Sequence, residues 1–380
     1  MSILVDLKAR TVHPDSEIYV ARPGKGYKLY QSFIGNGIQG IVGPDLPFLE
    51  LVKGTPLSEH KDIERRIRRS RAIRSWYRSG QQNAGPSRDL NTYTDAKADK
   101  SVHSLRATIG GFFEKLKIGD LVIVPPSAYA QDAYIGEVVS APIDYVSIKV
   151  PVYGDDPIMG RQVRWLARIQ KRRLPTSILE ALQHPTSIYL LSRLDRAPIY
   201  EAAFRSFIDL SGKDPHYISR FDVSSEKYTS STDLLLQAFF NSVASNAKTL
   251  ESGHKVTNSF LVAAFDDLGK YSLDLRTNVN SPGFLTLTSK FATPLIAAAL
   301  FVIAVKIGPD AAEAAKNGTI IIGNSMAPAG DPCTAPVIEG TLEQLKLLGL
   351  TNEWVKACEV AKLAADKAGV TGTVTVEQKP

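Results

Sequence analysis

Arginines and aromatic residues are the side chains of this sequence whose types and spacing best suit ligand binding. Between Lys61 and Arg78 there are eight basic and two acidic residues, and the segment ends with Trp76-Tyr77 beside Arg74 and Arg78. A guanidinium group forms paired hydrogen bonds to phosphate, and aromatic rings stack on nucleobases. The segment is typical of a nucleic-acid-binding surface, but a solvated helix face has a similar composition, so both interpretations stay open.

Motifs for catalysis, cofactors or metals are not evident. Gly212-Lys213 is not followed by Ser or Thr, so it is no Walker loop. Cys333 and Cys358 have no histidine at metal-ligand spacing. The stretch 323–327, Gly-Asn-Ser-Met-Ala, is similar to a nucleophile elbow, but the proline and glycine after it are incompatible with the helix that must follow. We predict no catalytic residue, no cofactor and no metal site, and the sequence favours a binding protein over an enzyme.

Two short apolar runs on either side of a loop with two prolines are the elements expected to position a binding site. Asp120 to Pro125 follows a Gly-Asp turn, is rich in β-branched residues and ends where two prolines remove ladder donors. Ala133 to Val139 forms the second run, and Gly136 within it indicates a β-bulge or a close approach of two backbones. The sequence therefore predicts a β-hairpin here.

A further strand is predicted from Arg161 to Ile169. Alternation along it places Val163 and Trp165 on one face. The arginines at positions 161, 164 and 168 are expected to point toward solvent or a ligand. Trp165 fits a core residue as well as a ligand-binding one.

A series of short motifs surrounds the hairpin in a fixed order. They are an Arg-x-Gly, a Phe, a GIQGIVG run, an aromatic residue before Gly-Asp, an Ile-Gly-Glu strand, a Val-x-Trp strand and an Arg-Leu-Pro, and their residues are Arg22, Gly24, Phe33, Phe113, Gly119, Asp120, Gly136, Val163, Trp165 and Pro175. This order resembles a prokaryotic PUA-like (EVE-like) domain, of the kind found at the N-terminus of Mrr-type restriction proteins. The resemblance covers residues 15–195, about half of the chain, and implies an N-terminal β-barrel with flanking helices.

The resemblance also implies a ligand. In such a domain aromatic side chains would hold a base, modified or flipped out of a duplex, while arginines hold phosphates. On this basis the residues assigned to the base pocket are Tyr129, Tyr134, Trp165 and Trp76. The residues assigned to phosphate binding are Arg22, Arg71, Arg74, Arg78 and Arg164. The expected partner is nucleic acid, including modified DNA.

Length and composition predict a folded protein of two domains. The chain has 380 residues, of which 44% are hydrophobic and 22% charged, and these are ordinary values for globular proteins. We place a PUA-like domain at residues 1–197 and a mainly helical α+β domain at residues 198–380. The N-terminal sequence lacks a secretory pattern, so a cytoplasmic location is expected.

The longest charge-free run lies in the second half of the chain. Phe291 to Val305 is 15 residues long, whereas a bilayer-spanning helix needs about 20. A helix buried in the domain core is therefore predicted, and a membrane-inserting segment is the alternative.

Two functional hypotheses follow. In the first, the chain is a restriction-like protein of prokaryotic antiviral defence whose N-terminal domain binds nucleic acid. In the second, it is a self-contained defence effector. Its N-terminal domain would sense a phage protein or a small molecule, and its C-terminal half would act by homo-oligomerisation or at the membrane.

Overall fold

The computed structural model describes residues 2–94, 100–224, 226, 228–253, 259–265, 268–278, 283–327, 330–351 and 353–379. Helices make up 43% of the chain and strands 23%, which confirms the predicted α+β class.

The regular elements alternate along the chain. The strands are β1 (Ser2–Asp6), β2 (Arg10–Val12), β3 (Ile18–Ala21), β4 (Gln39–Val42), β5 (Leu121–Val124), β6 (Asp132–Val138), β7 (Val146–Ile148), β8 (Ile158–Gln170), β9 (Ile188–Leu190), β10 (Ser206–Asp209), β11 (His216–Val223), β12 (Asp274–Asn278), β13 (Gly283–Ser289), β14 (Ile320–Gly323) and β15 (Thr375–Lys379). The α-helices are α1 (Tyr30–Ile34), α2 (Ile63–Arg78), α3 (Lys100–Gly110), α4 (Thr176–Leu182), α5 (Ala197–Phe204), α6 (Ser230–Glu251), α7 (Phe260–Ala263), α8 (Thr293–Lys306), α9 (Asp310–Lys316), α10 (Ala335–Leu350) and α11 (Glu353–Ala368). A π-helical turn, Gly111–Lys115, continues α3.

The chain forms two compact units. The first unit is Ser16–Ala203, and the second unit combines Met1–Asp15 with Phe204–Pro380. The first unit thus ends near the boundary predicted at residue 197, but it does not include the first 15 residues. These residues belong to the second unit because β1 pairs with β14 and β15, and β2 pairs with β10. The division is discontinuous, which a single boundary cannot describe.

The first unit is built on one large sheet. Its strand order is β4-β8-β6-β5-β3-β9, and β7 pairs with β8 in addition. The β3–β5 pair is parallel, and the other pairs are antiparallel. In the described part of the chain the outer strands β4 and β9 do not pair with each other, so the predicted closed β-barrel is corrected to an open sheet. Both outer strands have at most four residues, and short edge strands limit further pairing.

Apolar residues from helices and sheet form a continuous core in the first unit. Phe33 of α1, Phe112 and Phe113 of the π-helical turn, and Trp165 of β8 all belong to it. The arginine-rich helix α2 contributes its apolar stripe to the interior. Its residues Ile63, Ile67 and Ile73 are buried at helical spacing, which is the arrangement of an amphipathic helix.

Arg161 is fully buried, although the sequence predicts that it points to solvent or a ligand. Its guanidinium group donates to the carbonyl oxygens of Phe112 (3.1 Å) and Leu116 (2.8 Å) and to the hydroxyl (3.1 Å) and carbonyl oxygens of Ser140. Burial lowers the pKa of Arg161 to about 10, so the group is still charged at neutral pH. One side chain thereby joins β8 to the π-helical turn and to the end of β6.

The second unit contains two sheets and most of the long helices. The sheets have the strand orders β12-β13-β11-β10-β2 and β14-β1-β15. Every residue of α8 from Thr293 to Ala304 is buried, which confirms the predicted core helix. Within the described residues no single helix has both the length and the apolar composition to cross a bilayer; α8 and α9 meet these criteria only as a pair, and the pair is bent by 118°.

Replacing Arg161 with methionine should destabilise the first unit strongly. The change leaves the carbonyl oxygens of Phe112, Leu116 and Ser140 buried without donors, so we expect the free energy of unfolding to fall by about 3–5 kcal/mol. Urea unfolding followed by tryptophan fluorescence measures this. Lys149→Met is the control, since Lys149 and its partner Asp155 are both exposed and the loss of their ion pair should change the stability little. Equal stability of the two variants would contradict the role of Arg161.

Candidate functional site

A β-bulge between β6 and β8 determines the geometry of the site. Tyr134 pairs with Arg168 across the two strands. Two residues further along β6, Gly136 pairs with Trp165, so β8 has one extra residue, Leu166, in this interval. An extra residue inverts the alternation of side chains between the two faces of a strand. Trp165 and Arg168 therefore lie on the same face as Tyr134.

Two glycines allow the backbone to approach the Trp165 ring. A Cβ atom at Gly136 would lie 2.3 Å from Cγ1 of Val163 and 2.6 Å from Cε3 of Trp165. A Cβ atom at Gly40 would lie 2.6 Å from Nε1 of Trp165. The two distances of 2.6 Å to Trp165 are too short for any larger residue at either position without movement of the indole. The predicted bulge or close approach at Gly136 is confirmed, since the structure has both.

Trp165 is held in one orientation by two hydrogen bonds. Its indole Nε1 donates to the carbonyl oxygen of Ile34 (3.0 Å), and its backbone N–H donates to the carbonyl oxygen of Ile38 (2.9 Å). Trp165 is only 9% exposed and belongs to the core. The two interpretations of this residue are therefore compatible, because a ring packed in the core also lines a cleft.

The Tyr134 ring packs between the rings of Trp165 and Tyr30. The ring centroids of Tyr134 and Trp165 are 5.5 Å apart with an interplanar angle of 72°, an edge-to-face contact. Tyr30 makes a second edge-to-face contact with Tyr134 at 6.3 Å. The Tyr30 hydroxyl donates to the carbonyl oxygen of Asp132, and burial, followed by the nearby Tyr134 and Asp132, raises the pKa of Tyr30 to about 12. The aromatic group is thus preorganised.

The loop between α1 and β4 completes a cleft over these rings. Asn36 closes the loop on itself, because its Oδ1 accepts the backbone N–H groups of Ile38 (3.0 Å) and Gln39 (2.9 Å). The cleft has a volume of about 490 Å³, within the usual range for small-molecule sites. Its lining residues are Ile34, Gly35, Asn36, Gly37, Ile38, Tyr134, Trp165, Leu166, Ala167 and Arg168.

Two arginines of β8 differ in their electrostatic environment. Arg164 forms a salt bridge of 2.5 Å with Glu137, its cross-strand partner. Arg168 is exposed at the cleft, and among the described residues its side chain has no hydrogen bond or ion pair. Within that part of the chain no Asp or Glu lines the cleft. The cleft is therefore positively charged, and its charge comes from Arg168.

The four residues predicted for the base pocket separate into two groups. Tyr134 and Trp165 meet in the cleft, but Tyr129 and Trp76 are not among its lining residues. Tyr129 is 52% exposed, and its ring lies 4.9 Å from Nζ of Lys171. The indole of Trp76 donates to the carbonyl oxygen of Asn83. The sequence cannot separate these groups, because membership depends on the bulge and on contacts between distant segments.

Two arginines of α2 that were predicted to bind phosphate form an ion pair and a hydrogen bond inside the first unit. Arg78 forms a salt bridge of 2.8 Å with the buried Asp45, and Arg74 donates to the Asp45 carbonyl oxygen at 3.0 Å. Lys28 and Tyr153 also contact the Asp45 carboxylate. Burial, followed by the charge of Arg78, lowers the pKa of Arg74. The C-terminal end of α2 therefore has a structural role in addition to any role in binding.

Arg22 and Arg71, the other predicted phosphate ligands outside the cleft, have partners as well. Arg22 donates to the carbonyl oxygen of His184 (3.1 Å) and to the Tyr27 hydroxyl (3.3 Å). Arg71 donates to the hydroxyl of Ser101 and is exposed. None of the five predicted arginines lines the cleft.

Sequence reasoning missed Asn36 as a cleft residue, and it expected Arg168 to face solvent or a ligand without placing it beside Trp165. The signals were present: a Gly-Asn-Gly turn precedes β4, and Gly136 indicates a bulge. A bulge between Trp165 and Arg168 places them on the same face of β8, whereas strict alternation places them on opposite faces.

The 323–327 stretch, which is similar to a nucleophile elbow, has a structural role in the second unit. The Ser325 hydroxyl donates to Oδ2 of Asp6 (2.6 Å), and the Ser325 backbone N–H donates to Oδ1 (2.9 Å). These bonds join the loop after β14 to the end of β1. Among the described residues no group of three or more His, Cys, Asp or Glu side chains is arranged to hold a metal ion.

Comparison of the chain with protein-family models, curated proteins and solved structures gives no match.

Substitution of Gly136 by alanine should disturb the cleft directly. The new methyl group overlaps the Trp165 ring, so we expect a loss of about 1–3 kcal/mol in the free energy of unfolding and a red-shifted tryptophan emission. The control is Gly323→Ala, because a Cβ atom at Gly323 meets no atom within 4 Å. If Gly136→Ala matches wild type in both measurements, the close approach does not constrain the indole.

Proposed function

We propose that the chain is a nucleic-acid-binding protein of prokaryotic antiviral defence and that its first unit, a PUA-like domain, holds one base in the cleft. The observation that carries the proposal is the meeting of Tyr134, Trp165 and Arg168 at a single open cleft. Aromatic rings beside an unpaired cation are the combination that proteins use to bind an unstacked base and its charged backbone.

The aromatic part of the cleft suits a flat ligand. The Trp165 indole N–H is already bonded to Ile34, so the ring offers mainly apolar contact. Tyr134 stands at a steep angle to it and offers both a ring and a hydroxyl group. A base that enters the cleft exchanges stacking on its neighbours for contact with these rings.

The charge of the first unit supports a polyanionic partner. Arg168 supplies a positive charge inside the cleft that no carboxylate among its lining residues offsets. The exposed Arg71 and Arg78 on α2 are the remaining candidates for phosphate contact, together with Arg164 on β8. Phosphate contacts of this kind add affinity without sequence preference and make binding sensitive to salt.

The biological role rests on the resemblance to PUA-like domains of Mrr-type restriction proteins. The alternative effector hypothesis, in which the C-terminal half acts at a membrane, has less support because α8 is packed inside the second unit. A sensor of a phage protein or small molecule remains the second hypothesis, and binding measurements separate it from the first.

Tyr134→Ala should weaken binding to labelled single-stranded DNA or RNA. Loss of one stacking ring costs about 1–3 kcal/mol, and the dependence of binding on salt should stay unchanged because no phosphate contact is lost. Fluorescence anisotropy over a series of salt concentrations measures both quantities. The matched control is Tyr129→Ala, which removes an exposed tyrosine outside the cleft and should bind as wild type does. If wild type does not bind nucleic acid even at low salt, the proposal fails and the sensor hypothesis takes its place.

A further inference from the structure

The side-chain hydrogen-bonding groups that face the cleft are mainly donors. Arg168 has only N–H groups to offer. Asn36 has both kinds, but its Oδ1 already accepts two backbone N–H groups, which leaves its amide N–H₂ for a ligand. Within the described chain no carboxylate lines the cleft. The Tyr134 hydroxyl is the lining side-chain group that can still both donate and accept.

A donor-rich cleft discriminates among bases by their edges. Guanine presents two adjacent acceptors, O6 and N7, and thymine presents one, O4. On the same edge, adenine presents its N6–H₂ donor beside the N7 acceptor, and cytosine presents its N4–H₂ donor, so each would place an amino group against the donors of Arg168 and Asn36. An arginine can bond to both guanine acceptors at once, which makes this pair the commonest specific contact between protein and base.

We infer that the cleft selects guanine, with Arg168 bonded to the O6 and N7 edge of a base that lies against Tyr134 and Trp165. The inference rests on the proposed function, since it names the base that the proposed site takes. Its structural basis is the β-bulge, which places the Arg168 side chain on the same face as the two aromatic rings. Because Arg168 has no carboxylate partner among the described residues, its donors are available without breaking a salt bridge.

The inference assigns Arg168 to the base rather than to phosphate, and the two roles predict different results. A base contact gives sequence preference, whereas a phosphate contact strengthens binding to every sequence and contributes about 0.7 to the slope of log affinity against log salt on a single strand. Arg164 provides the matched control. It is on the same strand and partly exposed, but it pairs with Glu137.

The test uses short single strands in which only the central position carries a base and the flanking positions are abasic. Binding of full-length protein to strands with central G, T, A or C is measured by anisotropy at two salt concentrations. We expect wild type to bind the G strand about tenfold more tightly than the A and C strands, with T between them. Arg168→Gln should abolish this preference, whereas Arg164→Gln should keep it. Melting temperatures verify that both variants are folded.

Three results would overturn the inference, and each is distinct. Equal binding of all four strands by wild type would contradict guanine selection but leave nucleic-acid binding intact. If Arg168→Gln weakens all four strands equally and lowers the salt slope, Arg168 contacts phosphate. Failure of wild type to bind any strand, including fully base-carrying ones at low salt, would overturn the proposed function itself.

Discussion

The cleft depends on the close approach of β6 and β8 at Gly136. Here the strands pair with unequal numbers of residues, and the missing side chain of Gly136 gives the Trp165 ring its place. A larger residue would move the indole away from Ile34, whose carbonyl oxygen fixes the ring. The same irregularity turns Arg168 toward Tyr134. The bulge and the glycine together therefore determine which aromatic and basic side chains meet: the bulge sets the face of Arg168, and Gly136 leaves room for the indole.

Arginine has three different roles in the first unit, which is why the charge count alone is a poor guide to binding. Arg161 is a core residue whose three guanidinium nitrogens donate to backbone and serine oxygens. Arg74 and Arg78 bind Asp45, and burial of that carboxylate requires nearby cations. Arg168 alone among the β8 arginines faces the cleft. Arginines of the same formal charge thus stabilise the core, hold a buried carboxylate or make the cleft positive, according to their partners.

Local features of the fold could be predicted from the sequence, whereas long-range pairing could not. The hairpin, the bulge at Gly136, the apolar stripe of α2 and the buried α8 follow from periodicity, glycine placement and run length. The return of the N-terminal strands to the second unit depends on pairing with segments about 200–380 residues away, which leaves no local signal. For the site, Tyr134 and Trp165 were predictable as aromatics on neighbouring strands. Arg168 required the register of the bulge, and Asn36 required the position of the loop between α1 and β4 over β8.

Arg164 and Arg168 show how register converts one residue type into two chemical groups. The bulge places the two arginines on different faces of β8. Arg164 lies opposite Glu137, which forms a salt bridge with it, and Arg168 lies opposite Tyr134, which carries no charge. A cation beside an uncharged ring keeps all its N–H donors for a ligand. Guanidinium is weakly hydrated, so the loss of its bound water on binding a base costs little. The selectivity of the cleft therefore follows from strand pairing: a shift of one residue would return Arg168 to the other face and leave the aromatic rings without a donor to read a base edge.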